Sequence, residues 1–152
     1  MYEKILAATD LTRASSDALR HATALGRLLG AHVYVLHVVD PPVARHTSSL
    51  RAEQAVAAAA RTEVEAVHRL LDDQTQSGEV AKWGVRMTTL VRTGTPAETI
   101  VHTARDLGAD LIVMGTHARE GLQHAMLGSV AERVIRHAPC PVVCARTGPS
   151  TS

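Results

Sequence analysis

The sequence predicts an α/β fold: a five-stranded, doubly wound parallel sheet in the order 3-2-1-4-5 with helices on both faces. Three observations carry that prediction. Short apolar runs alternate strictly with stretches of helical apolar spacing, which demands right-handed crossovers and parallel strands. The runs are close to continuous in Val, Ile, Leu and Ala, as strands covered on both faces require. Residues of unusual chemistry, Asp10 and Gly115, fall just where the first and fourth runs end, and in this strand order those two strands are neighbours. At 152 residues the chain is the size of one domain, taken as 1–147 with a tail at 148–152.

The elements follow in order. Lys4 to Thr9 is a strand bounded by Asp10, after which Ala18, Ala22, Leu25 and Leu29 recur at helical spacing and Gly30 stops the helix. His32 to Val39 is the second strand, closed by Asp40, Pro41 and Pro42. From about Leu50 to Thr75, Val56, Ala60, Val64, Val67 and Leu71 mark a long amphipathic helix. Val85 to Val91 is a β-branched strand, and Thr95-Pro96-Ala97-Glu98 combines a capping box with proline at the first helical position, opening a helix that reaches Leu107. A strand from Leu111 to Met114, a glycine-bearing loop, a helix from Ser129 to His137 and a last strand from Pro141 to Ala145 complete the chain.

Composition removes several classes of function. Sixteen basic and 15 acidic residues leave a net charge of +1, too little to attract nucleic acid or an anionic membrane. Tyr2, Tyr34 and Trp83 are the only Tyr and Trp residues and Phe is absent, so no base-stacking platform can be assembled. There is no charged-then-apolar leader and no run near the ~18 apolar residues a bilayer span needs, so a cytoplasmic protein is expected. Cys140 and Cys144, read as one strand, would place their α-carbons roughly 13 Å apart on one face, too far for a disulfide within the chain.

The stretch LIVMGTHAREGLQHAMLGSV, from Leu111 to Val130, holds the strongest functional signal. A buried strand delivers the chain to a loop with glycines at Gly115, Gly121 and Gly128, and Ser129 opens the next helix, whose free N–H groups point back toward the strand ends. Phosphate fits such a site, and Ser129 can both cap the helix and donate its hydroxyl to an oxyanion. The plainer reading is a long connection that needs glycines in order to turn. Asp10 could accept a ribose hydroxyl or help hold a divalent ion beside phosphates, or cap the loop into the first helix with Thr12 or Ser15; these roles are compatible. His117 lies inside the glycine loop as a candidate ligand contact, and Arg119 there either neutralises phosphate or points into water. The nine histidines otherwise show no metal-ligand spacing, and no metal site is expected.

Several enzymes are excluded by specific absences. The chain has no GxxxxGK[ST], no GxSxG elbow, and no glycine in the ATDLT turn that a dinucleotide fold would place after its first strand. A receiver-type phosphoacceptor domain would want an aspartate ending strand three and a lysine ending strand five, where Arg92 and Arg146 stand.

From KILAATDLTRASSDAL through LHVVD and GTPAETIVHTARDLGADLIVMGTHAREGL to LGSVAERVIRHAPCPVVCAR, the chain resembles the small single-domain universal stress proteins of the UspA type. That family's nucleotide-binding branch carries Gly-x-x-Gly, nine residues, then Gly-Ser or Gly-Thr, and binds ATP. The resemblance implies that Asp10 meets the ribose, that Val38 meets adenine through its backbone, and that Gly115, Gly128, Ser129 and Val130 line the phosphates. Met114 is grouped with them, as are His117, Ala118 and Arg119. Ala118 stands where the family has its second glycine, with the nine-residue spacing to Gly128 intact. If that position needs positive φ, the methyl group costs about 1–2 kcal/mol, or about 5- to 30-fold in affinity; if its β-carbon fills the phosphate volume, binding is lost.

The resemblance also implies a homodimer through the last strand. Pro141 to Ala145 agrees, being an apolar edge strand without protective lysines. The chain is therefore expected to be an ATP-responsive binding module of the stress response, with Mg2+ as a possible companion of the nucleotide. The alternatives are a nucleotide-free dimeric interaction protein of the same family and a slow ATPase. No evident general base with an orienting partner lies near the proposed phosphates, so any hydrolysis is expected to be slow and incidental.

Overall fold

A computed structural model describes residues 1–40, 50–77, 84–116 and 127–146. The strands are β1 (Lys4–Thr9), β2 (His32–Val39), β3 (Met87–Thr93), β4 (Leu111–Thr116) and β5 (Val142–Arg146). The helices are α1 (Arg13–Leu29), α2 (Leu50–Ser77), α3 (Pro96–Leu107) and α4 (Ser129–His137). All strand pairs are parallel and the order is β3-β2-β1-β4-β5, as the alternation of elements predicts.

The sheet separates two apolar layers because successive side chains of a strand point to opposite faces. On one face Ile5, Ala7, Val33, Val35, Leu111 and Val113 pack with Ala18 and Ala22 of α1. On the other, Leu6, Ala8, Leu36, Ile112 and Met114 pack with Ala97, Ile100, Val101 and Ala104 of α3 and with Ala131 and Val134 of α4. α2 contacts β2 and β3, and a right-handed crossover puts it on the face of α1. Among the described residues no helix is long and apolar enough to cross a membrane.

Element boundaries moved for identifiable reasons. β3 begins at Met87 rather than Val85 and runs on to Thr93, because its ladder starts at the Val33–Met87 pair and continues until Thr93 faces Val39. β4 passes the expected end at Met114, since Gly115 and Thr116 still pair with Ala145 and Arg146. β5 begins after Pro141, which has no N–H to donate and contributes only its carbonyl, to the Ile112 amide at 3.0 Å. The buried stripe of α1 excludes Leu29, which is 40% exposed, and includes Ala14, Ser15 and Thr23 instead. α1 crosses β2 closely at Gly26, where a β-carbon would lie 2.6 Å from Val33 Cγ2.

Two expected caps are not formed by side chains. Pro96 does take the first helical position of α3, but the Thr95 hydroxyl makes no capping bond; the Thr95 carbonyl accepts the Thr99 amide instead. In α4 the N-cap is Gly128, and Ser129 is the first helical residue, so its hydroxyl does not cap. Cys140 lies in a bend before β5 and not in the strand, which removes the basis for the strand-spacing argument. Both cysteines are free and half-buried on the α3–α4 face, and burial pushes both thiols up from their ordinary range.

Candidate functional site

Two neighbouring strands whose following connections leave on opposite faces create the crevice. β1 is paired on one side with β2, up to Thr9 opposite His37, and on the other with β4, up to Ala8 opposite Met114. The chain after β1 turns into α1 on one face, while α4 follows β4 on the other, so Asp10 and Gly115 come together at the topological switch point.

The β1–α1 turn is held by its own polar groups. Asp10 Oδ1 accepts the Thr12 amide at 3.0 Å and also the Thr12 hydroxyl, an Asx turn that realises the expected capping role of this exposed carboxylate. Thr9 Oγ1 accepts the Leu11 amide at 3.1 Å and lies 2.9 Å from Ser15 Oγ, which also donates to the Thr12 carbonyl. Leu11 takes φ 67°, a left-handed conformation that costs a residue with a β-carbon roughly 1–2 kcal/mol. It is the only residue other than glycine with positive φ among those described, and its side chain is 39% exposed.

His37 belongs to this set and sequence reasoning passed over it, as one of nine scattered histidines. It is buried, and its Nδ1 lies 2.9 Å from the Thr9 carbonyl. A carbonyl only accepts, so Nδ1 carries the proton and the ring clamps the end of β1 to β2. The available signal was a polar residue in the apolar run LHVV, one position before Val38.

Backbone parity places Val38. Odd residues of β2 turn their backbone groups toward β3: the Val33 amide donates to Arg86, and the Val39 carbonyl accepts the Gly94 amide. Even residues turn toward β1, as the His32 amide does to Glu3. Val38 therefore directs its backbone to the β1 side, just beyond the last pair of that ladder, while its half-buried side chain packs on the α3 face.

The two described glycines differ. A β-carbon on Gly115 would lie 2.7 Å from the Ala14 carbonyl oxygen, 2.8 Å from its carbon and 3.0 Å from the Ser15 nitrogen, so the end of β4 touches the backbone of the first turn of α1. Gly128 has φ −60°, open to any residue, and a β-carbon there would meet none of the described residues within 4 Å. Its carbonyl accepts the Glu132 amide at 3.0 Å, and the amides of Ser129, Val130 and Ala131 in the first turn of α4 have no partner within the helix. Ser129 is exposed and Val130 half-buried against the α3–α4 core, as is Val38. Met114 is buried in that core and reaches the crevice only through its backbone. His117, Ala118 and Arg119 lie outside the described residues.

Among the described residues, no group of three or more His, Cys, Asp or Glu is arranged to hold a metal. Asp10 is the crevice carboxylate that could share a cation with phosphates.

Known proteins match this chain along its length. The model of the universal stress protein family matches residues 1–146. Universal stress protein MJ0531 of Methanocaldococcus jannaschii is 38% identical over 149 residues, covering 94% of this chain and 81% of that protein. The structure of the universal stress protein UspA from Lactobacillus plantarum superposes with a TM-score of 0.82 at 26% identity, covering 95% of this chain and 98% of that one. A universal stress protein from Archaeoglobus fulgidus, solved in complex with dAMP, superposes with a TM-score of 0.61 at 26% identity over 95% of this chain and 98% of that one. Sequence, strand order and superposition agree, and the chain belongs to the universal stress protein family.

Proposed function

We propose that this protein is a cytoplasmic adenine-nucleotide-binding module of the stress response, taking ATP, with or without Mg2+, in the crevice above β1 and β4. The observation that carries the reading is Gly128. Neither φ nor the packing of the described residues requires glycine there, and at the N-cap of α4 no described residue fills the place a side chain would take. A residue kept small by an occupant would have that signature, and the first-turn amides behind it, which have no partner within the helix, suit phosphate. The Val38 backbone and Asp10 supply the polar edge for base and ribose, and the dAMP bound by the A. fulgidus relative is a ligand of matching class. Among the described residues the crevice then binds nucleotide without a dedicated general base: the His37 nitrogen that holds the β1 carbonyl is committed to the scaffold.

Gly128→Asp tests this reading without disturbing the fold. Aspartate is a preferred N-cap and complements the helix dipole, so stability should hold or rise by a few tenths of a kcal/mol. Its charge should weaken Mg-ATP binding by at least about tenfold in calorimetry. Absence of binding heat in the parent protein at millimolar ATP, or equal affinity in the variant, would sink the proposal.

The module is further proposed to be a homodimer through the edge strand, Pro141 to Ala145. β5 lies at the sheet edge with Val143 39% exposed, and Ile135 of α4 is 44% exposed. Val143→Asp should convert dimer to monomer in sedimentation; a dimer that persists places the interface elsewhere.

A further inference from the structure

We propose a second binding site, in the groove between α3 and α4, for a small molecule that carries a phosphate or carboxylate on an apolar body. The groove has a volume of about 660 Å3, within the range of ~300–1,000 Å3 typical of small-molecule sites. Its inner wall includes Ala97 and Val101, both buried. Its rim is basic: α3 contributes His102 and Arg105, three residues apart, and α4 contributes Arg133 and His137, four apart. Those spacings bring each pair to one side of its helix, so the two pairs flank the same groove. Glu98 is the only acidic residue among the described lining residues.

The groove's positive charge comes from Arg105 and Arg133 against Glu98, with the histidines neutral as in the chain's +1 and His102 lying 3.6 Å from Asp106. Helix electrostatics account for part of it: Arg105 and His137 occupy last turns, where cations oppose the helix dipole, and Arg105 donates to the His137 carbonyl at 3.4 Å. Arg133 has no such explanation. It sits in the middle of α4, and no acidic partner is recorded for it among the described residues, whereas Arg136 on the same helix pairs with Glu132 at 3.2 Å. An exposed arginine lining the same groove as Ala97, Val101 and a second arginine offers the fork that a phosphate or carboxylate accepts. None of the groove residues belongs to the nucleotide crevice, so this site stands or falls independently of the proposed function.

The test is a titration of the 15N-labelled full chain with phenyl phosphate at low ionic strength, followed by amide shifts. Shifts should cluster at Val101, Arg105 and Arg133, and binding should weaken with salt. Arg133→Glu, an exposed position, should leave the spectrum folded and reduce affinity by about fivefold or more; Gly128→Asp should leave it unchanged. Benzoate in place of phenyl phosphate distinguishes a carboxylate ligand from a phosphate one. Shifts confined to the ends of β1 and β4, equal affinity in the folded Arg133→Glu protein, or binding of neither probe at millimolar concentration would overturn the proposal. Inorganic phosphate binding as tightly as phenyl phosphate would overturn the role of the apolar wall.

Discussion

Gly115 and Gly128 belong to one stretch of sequence and look alike in it, yet the structure gives them opposite reasons for being glycine. Gly115 is fixed by the protein itself, since β4 reaches α1 so closely that a β-carbon would collide with the Ala14 backbone. Around Gly128 no described residue would lie within 4 Å of a β-carbon. The contrast separates a glycine required by packing from one that the described packing does not require, a distinction that motif spacing cannot make. It also divides the crevice into a β1–α1 side, locked by internal hydrogen bonds and a strained turn, and an α4 side, whose helix start is open among the described residues.

The largest expected effect lies on the locked side. Gly115→Ala should destabilise the fold by about 1–3 kcal/mol in urea unfolding, because the colliding atoms are backbone and cannot swing aside. An unchanged midpoint would show that α1 shifts freely and would dissolve the contrast. On the open side, Gly128→Asp should leave the unfolding midpoint nearly unmoved while removing about tenfold in nucleotide affinity, so that stability and binding report on different glycines. A variant that lost stability in step with affinity would place Gly128 with Gly115.

The turn itself gives a smaller effect of opposite sign. Leu11→Gly should raise stability by up to about 1 kcal/mol, because glycine accepts the left-handed conformation without strain. Destabilisation instead would mean that the exposed Leu11 side chain makes contacts worth more than the strain.

The smallest effect is a pH dependence remote from both glycines. His32, on β2, has its pKa lowered from the ordinary 6.5, first by burial and then by the positive charges of Arg86 and Lys4. The folded protein therefore favours the neutral ring, which stacks on Tyr34 with ring centroids 4.4 Å apart and lies 2.7 Å from Thr88 Oγ1. Its contribution is complete above the unfolded value and is lost as pH falls from 6.5 toward the lower folded value. Asp110, whose carboxylate accepts the Glu3 and Lys4 amides and is held below its usual 3.8 by them, adds a second loss only in stronger acid. Unfolding midpoints measured across pH 7 to 5 should fall for the parent and fall less for His32→Gln; identical slopes would remove His32 as the cause.

Much of this molecule is legible without coordinates, and the reasons are local. β2 and α3 came out residue for residue, because His32–Val39 is an apolar run closed by Asp40 and the prolines, and because Pro96 and Gly108 bracket a helical pattern. Strand ends were misplaced where pairing with a neighbour, not composition, decides where a strand stops, as at Gly115 and Thr116 beside Ala145 and Arg146. The Leu29 error has the same origin: helical spacing names a face, but the reach of the sheet beneath it decides how far along the helix that face is buried.

Periodicity, turn residues and strict alternation by themselves determined the α/β class, the strand order and the meeting of Asp10 with Gly115, because these follow from short-range sterics and the handedness of crossovers. Only the tertiary structure decided that His37 clamps the end of β1, that Leu11 bends into a left-handed turn, that Gly115 is required by packing while no described residue crowds Gly128, and that Arg133 faces the α3–α4 groove. The His37 clamp and the Gly115 contact depend on atoms far apart in the chain brought within a few ångströms, a quantity that sequence spacing does not contain.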